Sequence, residues 1–147
     1  MRVAFGADHA GWELKNALAE LARQAGHEVV DLGAHDGSSV DYPDYGAAVG
    51  RAVVGGEADR GVVVCGTGIG ISIAANKVPG VRAAVAHDDF TAKYSRLHND
   101  ANVLCLGSRV VGPGVAEAVL ATFLATAFEG GRHARRVEKI AEIEEQS

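Results

Sequence analysis

A thiol followed by three alternate glycines stands near the middle of the chain, in "VVVCGTGIGISIAANK", residues 62–77. Glycines let backbone N–H groups approach an anion closely, and a helix starting near Gly70 adds its positive end. Such a loop stabilises an oxyanion as readily as a phosphate. Cys65, beside those donors, is therefore a candidate base or nucleophile, since the thiolate is the reactive form of cysteine. The plain alternative is a structural cysteine that ends a core strand. Cys105, inside "NVLCLG" with no loop chemistry beside it, fits that alternative better.

The loop does not match the familiar templates. A P-loop needs GxxxxGK[ST], and its lysine is missing. A dinucleotide fingerprint needs a glycine where Ile71 stands, and a cysteine-plus-arginine phosphatase loop needs an arginine at that same residue. GxSxG and HExxH are absent as well. These mismatches argue against a nucleotide-binding module and against a cysteine phosphatase.

Other groups suited to chemistry lie further along. Arg132 and Arg136 are four apart, hence on one helix face, and form a basic cluster with His133 and Arg135. Two guanidinium forks on one face suit a phosphate dianion, though a solvated surface is the simple reading. Arg109 offers a third fork. "SRLHNDANV" puts His98, Asn99 and Asp100 at a helix-to-strand turn. His98 can move protons near neutrality, and Asn99 can equally turn the chain. "GADHAG" puts Asp8 and His9 at the end of the first strand, where Asp8 can touch ligand or cap the following helix.

The bulk properties limit the partners. A chain of 147 residues, 48% hydrophobic, fits one domain over residues 1–147. The net charge of −5 argues against nucleic acid as a partner, but not against a small anion held by local arginines. No apolar run is long enough to span a bilayer, and "MRVAFGADH" enters a strand without the pattern of a signal peptide. Two cysteines far apart, outside any CxxC pair, suit free thiols in the cytoplasm.

Alternating strands and helices must position these groups. "RVAFG", "HEVVDLG", "GVVVCG", "VRAAVA" and "NVLCLG" read as five strands. "AGWELKNALAELARQAG", with Leu14, Leu18 and Leu21 at helical spacing, is the first helix, and Gly26 suits its C-terminal cap. Pro43 opens the second helix, and "GISIAANK" is the third. "DDFTAKYSRLHN" and "GPGVAEAVLATFLATAF" are the next two. A last helix runs from about residue 131 through "RHARRVEKIAEIEEQS", its "EIEEQS" end expected to fray. The pattern predicts an α/β fold, a Rossmann-like three-layer sandwich with a five-stranded parallel sheet flanked by helices. Ligands of such sheets bind beyond the carboxyl ends of the strands. Asp8 and His9, Tyr42, Cys65 to Gly70, and Ser108 with Arg109 all fall at or after strand ends.

"GADHAG", "DYPDYG", "CGTGIGISIAANK", "SRLHNDANVLCLGSRVVG" and "EGGRHARRVEKI" together resemble the ribose-5-phosphate isomerase type B family, which includes allose-6-phosphate and galactose-6-phosphate isomerases. The resemblance covers almost the whole chain. It implies a metal-free, cofactor-free aldose–ketose isomerase acting on a sugar phosphate through an enediolate. Ribose 5-phosphate to ribulose 5-phosphate is the first expectation. Allose 6-phosphate, galactose 6-phosphate, a four-carbon sugar phosphate and a non-catalytic sugar-phosphate-binding subunit are the alternatives. Carried onto this chain, Cys65 is the base, Thr67 assists beside the loop amides, and His98 helps open the sugar ring. Gly66, Gly68, Ile69 and Gly70 form the anion-binding loop. Asp8, Tyr42 and Asn99 orient sugar hydroxyls, and His9, Arg109, Arg132 and Arg136 hold the phosphate. In one branch of the family a glutamate is the base instead, at the position of Ile71, so the chain matches the cysteine branch. The resemblance further implies a homodimer or tetramer with active sites shared between subunits.

Overall fold

The computed structural model describes residues 1–146. Five strands are present: β1 Arg2–Ala7, β2 Glu28–Asp31, β3 Arg60–Cys65, β4 Ala83–Val85 and β5 Val103–Gly107. Six helices separate and follow them: α1 Trp12–Gln24, α2 Tyr42–Val54, α3 Ile69–Asn76, α4 Asp89–Leu97, α5 Pro113–Ala125 and α6 Arg132–Glu145. The strands form one parallel sheet in the order β2-β1-β3-β5-β4. This is the expected α/β architecture.

Right-handed crossovers dictate which helix covers which face. The steps β1 to β2 and β4 to β5 run one way along the sheet, while β2 to β3 and β3 to β4 run the other way. So α1 and α4 share a face, and α2 and α3 take the opposite one. The core divides accordingly. Leu18 and Ala22 of α1, Ala92 of α4 and Val119 and Phe123 of α5 pack on Phe5, Val62, Val64, Leu104 and Leu106. Val49 of α2 and Ile71 and Ala75 of α3 pack on Ala4, Val63, Cys65, Val103 and Cys105. Strand alternation thus turns both cysteines toward the face of α2 and α3.

Several element ends differ from the sequence reading, each for a local reason. Helix α1 begins at Trp12 rather than near Ala10, because the Asp8 carboxylate accepts the N–H groups of Ala10 (2.9 Å) and Gly11 (3.1 Å). Strand β4 is shorter than "VRAAVA". The Arg82 N–H is taken by the Asn102 side chain (2.7 Å) and the Ala83 N–H by that of Asn76 (2.8 Å). Helix α5 stops at Ala125, where Thr126 turns extended and its carbonyl accepts the Arg96 Nε–H at 3.0 Å. The segment expected to fray stays helical through Glu145, with the Glu144 carboxylate accepting the Gly80 N–H. The expectation that the last helix includes Ser147 lies outside the described residues.

Helix α6 buries only His133 among its described residues and leaves Ile140 and Ile143 exposed. Among the described residues no helix is long and apolar enough to cross a membrane.

Candidate active site

β1 and β3 are neighbours, and the chain leaves them toward opposite sides of the sheet, α1 on one and α3 on the other. That reversal opens a crevice at their carboxyl ends. A cleft of ≈ 340 Å³ lies there, lined by Asp8, His9, Ala10, Tyr42, Cys65, Gly66, Thr67, Gly70 and Arg109. Four separate segments of the chain converge on it.

Cys65 is the last residue of β3. It is only 5% exposed, yet it belongs to the cleft wall rather than to a sealed interior. Its Sγ accepts the Gly68 N–H at 3.2 Å. Gly68 is left-handed (φ +78°), and a Cβ there would come within 2.9 Å of the Leu106 carbonyl carbon. Only glycine meets both demands, and the turn it makes aims its N–H back at the sulfur. Thr67 Oγ1 accepts the Ile69 N–H (3.1 Å) in a local side-chain turn just before α3. A Cβ on Gly70 would strike the Tyr42 ring at 2.7 Å, whereas one on Gly66 would meet only ordinary contacts with Arg109. The glycines therefore serve different ends: a turn at 68, close ring packing at 70, and open approach at 66.

The surrounding groups are held by backbone contacts. Asp8 is buried, its carboxylate engaged by the turn that leads into α1. His9 Nδ1 lies 3.2 Å from both the nitrogen and the oxygen of Val40, which ties the end of β1 to the loop before α2. Ser108 N–H donates to the Cys65 carbonyl (2.9 Å) and Arg109 N–H to that of Gly66 (3.0 Å). These bonds leave the Arg109 side chain exposed at the cleft. Cys105, in contrast, is sealed in the core, and burial pushes its thiol far above the usual cysteine range.

Not every residue singled out in the sequence lines this cleft. Gly68 lies beneath it, and Ile69 begins α3 with its side chain exposed. His98, Asn99, Arg132 and Arg136 sit elsewhere on the chain. His98 ends α4, and its ring stacks on His133 of α6 (centroids 4.0 Å apart, planes 13° apart). Asn99 borders a separate hollow with Asn76, Arg82 and Ile140. Arg132 and Arg136 are exposed on α6. Burial, the neighbouring His98 and those two arginines hold the His133 imidazole below its usual range, against the pull of Glu129. His98, Glu129 and His133 bring potential metal-ligating atoms within 4.8 Å of one another. Imidazole ligates through an in-plane lone pair, and two nearly parallel stacked rings do not aim theirs at one point, so this trio is poorly arranged for a metal ion.

Two contributors to the site went unassigned in the sequence. Ser108 Oγ donates to the Ala10 carbonyl (2.8 Å) and braces β5 against β1. Gly107 lies so close to the loop that a Cβ there would fall 2.6 Å from the Thr67 carbonyl. Both follow "NVLCL" in a strand-end position, but their partners lie far away in sequence.

An open parallel sheet with a thiol and a glycine turn at its switch point places the protein among the doubly wound α/β enzymes. The chain belongs to the ribose/galactose isomerase family, whose family model matches residues 3–140, and is accordingly an isomerase. A solved structure of Clostridium thermocellum ribose-5-phosphate isomerase B is similar with a TM-score of 0.98 and 55% identity, over 99% of each chain. Ribose-5-phosphate isomerase B of Escherichia coli is 48% identical over 98% of this chain and 97% of its own. The Mycoplasma genitalium ribose-5-phosphate isomerase B with bound ribulose-5-phosphate is 40% identical with a TM-score of 0.94, over 99% of this chain and 97% of that one.

Proposed function

We propose that the protein interconverts ribose 5-phosphate and ribulose 5-phosphate, with the Cys65 thiolate as the base. The observation that carries this reading is the sulfur on the cleft wall with the Gly68 N–H donating to it. The likeness to the ribose-5-phosphate isomerases B of C. thermocellum and E. coli supports the choice of sugar.

On this reading the open-chain aldose lies with its first two carbons at Cys65 and its phosphate toward His9 and Arg109. The thiolate removes the proton from C2. The electrons of that C–H bond form the C1–C2 double bond, and the carbonyl π electrons move onto O1. The resulting enediolate is stabilised by donors already in place, the free N–H groups of the loop and the Thr67 hydroxyl. The proton on O2 passes to O1, and the thiol returns its proton to C1 to give the ketose. Phosphate contacts far from the reacting carbons hold them in register.

A second copy of the chain completes the site with its His98, Asn99, Arg132 and Arg136. Two observations support this: the four residues lie away from the cleft of their own chain, and α6 leaves the apolar side chains of Ile140 and Ile143 exposed. His98 then opens the sugar ring by proton transfer, and the two arginines complete the phosphate site. The whole chain acts as one domain, with α6 serving the neighbour, and it works in the cytoplasm, in keeping with two unpaired cysteines.

Turnover of ribose 5-phosphate in heavy water tests the reading. Deuterium at C2 of the recovered aldose is expected, together with the highest kcat/KM for the pentose among four-, five- and six-carbon sugar phosphates. Wild-type turnover by Cys65→Ala excludes the thiol as the base, and a higher kcat/KM for a tetrose or hexose phosphate moves the assignment to that sugar.

A further inference from the structure

Strand β4 stops short of the strand it pairs with. The ladder runs from Ala83↔Val103 to Val85↔Cys105, and the Ala86 N–H still reaches the Cys105 carbonyl at 3.3 Å. β5 continues to Gly107. Successive N–H groups of a strand point to opposite neighbours. The Ser108 N–H goes to β3, so the N–H of Gly107 faces the β4 side, where the ladder has ended. Gly107 is buried, and an unpaired buried N–H is costly. Its acceptor is a side chain: Nε2 of His87, at 2.9 Å. Nε2 accepts, so the ring proton sits on Nδ1.

What Gly107 supports makes this bond matter. A Cβ on Gly107 would stand 2.6 Å from the carbonyl carbon and oxygen of Thr67, and a Cβ on Gly68 would stand 3.1 Å from the Gly107 nitrogen. The main chain at 106–107 is thus the floor under the Thr67–Gly68 turn, and the Gly68 N–H is the group that meets the Cys65 sulfur. A shift of a few tenths of an ångström in that floor passes directly to the donor at the thiol.

We propose that His87 is a positioning residue of the isomerase site: its imidazole replaces the missing strand residue, fixes Gly107, and through Gly107 sets the Thr67–Gly68 turn against Cys65. His87 is not among the cleft residues and touches no reacting atom. The proposal rests on the reading of Cys65 and its loop as the reacting centre.

Three variants test it. The Gln side-chain oxygen lies as many bonds from Cα as Nε2 does, whereas the Asn oxygen lies one bond short. His87→Ala and His87→Asn are expected to lower kcat about tenfold, with KM within about twofold of wild type, the loss that one hydrogen bond represents. His87→Gln is expected to stay within about threefold of wild-type kcat. Hydrogen exchange at the Gly107 amide should speed about tenfold in the Ala and Asn variants and stay slow in the Gln variant. Unchanged kcat in His87→Ala, a rise in KM alone, or a Gln variant no better than Ala overturns the proposal. If His87→Ala does not fold, the nitrogen NMR spectrum of the wild-type ring decides: a proton on Nε2 overturns it, and one on Nδ1 with slow Gly107 exchange supports it. If the wild type turns over no sugar phosphate, the functional reading falls, and exchange at Gly107 still tests the bond itself.

Discussion

The sulfur of Cys65 lies 3.2 Å from the backbone nitrogen of Gly68, and the N–H between them points at the sulfur. This is a turn closed on its own strand end. A donor three residues ahead in sequence reaches back because Gly68 adopts a conformation in which a side chain is strained. The arrangement supplies a fixed partner for a thiolate, and leaves the sulfur on the wall of the cleft rather than behind it.

Replacing the sulfur separates chemistry from binding. Cys65→Ala is expected to lower kcat by about 10²–10⁴-fold, the range for loss of a positioned base. Binding of a non-reactive sugar phosphate should remain within a few-fold of wild type. Steady-state kinetics with titration calorimetry checks both. Retained turnover together with lost binding would make Cys65 a ligand contact instead of the base.

Gly68→Ala tests the turn. The substitution places a side chain at φ +78° and a Cβ 2.9 Å from backbone, so the loop must move. A residue forced into that region costs on the order of 1–3 kcal/mol, to be read in urea unfolding. Displacing the donor from the sulfur should also lower kcat by about a hundredfold, the weight of one hydrogen bond to a charged group. An alanine variant as active and stable as wild type would mean that the turn has no part in catalysis.

How much of this was legible before the structure depends on the range of the interaction. The sheet could be read because parallel strands buried on both faces give runs such as "GVVVCG", and because helices alternate with them; which helix covers which face waited on the strand order. Asp8, Cys65 and Arg109 could be placed at strand ends, and Tyr42 in the stretch after β2, from order alone. The ends of β4 and α1 could not, since they depend on side chains that take backbone donors: Asn76 and Asn102 at β4, Asp8 at α1. His87 was unassigned for the same reason. Its partner is Gly107, twenty positions away, and no spacing rule links a side chain to the N–H left over where a neighbouring strand ends. Arg132 and Arg136 were rightly put on one helix face, but the single chain carries that face away from the cleft.

Mixing inactive variants tests the proposed sharing of the site. Cys65→Ala and His98→Ala homodimers should each be nearly inactive. A mixed dimer holds one site with both defects and one with neither. Random reassociation makes half the dimers mixed, so activity should recover to about a quarter of wild type. Activity assayed after joint unfolding and refolding, or after co-expression, reads this. Failure of a verified mixed dimer to regain activity would mean that Cys65 and His98 serve the same site from one chain.

The end of β1, next to Asp8, is supported by an ion pair between Lys15 and Asp31. The Lys15 side chain is fully buried, and its ammonium donates to both carboxylate oxygens of Asp31 (2.9 and 3.0 Å) and to Asn16 (2.7 Å). Asp31 also accepts the Gly33 N–H at 3.0 Å, and residues 33 and 34 bond to Ala7 at the end of β1. Burial works to raise the Asp31 carboxyl, but the Lys15 ammonium, the Gly33 N–H and nearby His35 outweigh it and hold it below the usual range. The unfolded chain therefore binds the proton more readily than the folded one. The stability from this pair is fully present above about pH 4 and is lost as pH falls through the lower folded value. Lys15→Met leaves Asp31 without its cation and should cost about 3 kcal/mol, the low end for breaking a buried pair, because Asp31 keeps some contact with water. Lys15→Met with Asp31→Leu should recover most of that loss, since no charge is then stranded. Urea unfolding between about pH 3 and pH 7 is the measurement, and the acid loss of stability should be smaller in the double variant than in wild type. A double variant as unstable as the single one would show that the pair is needed for its geometry, beyond avoiding an unpaired charge.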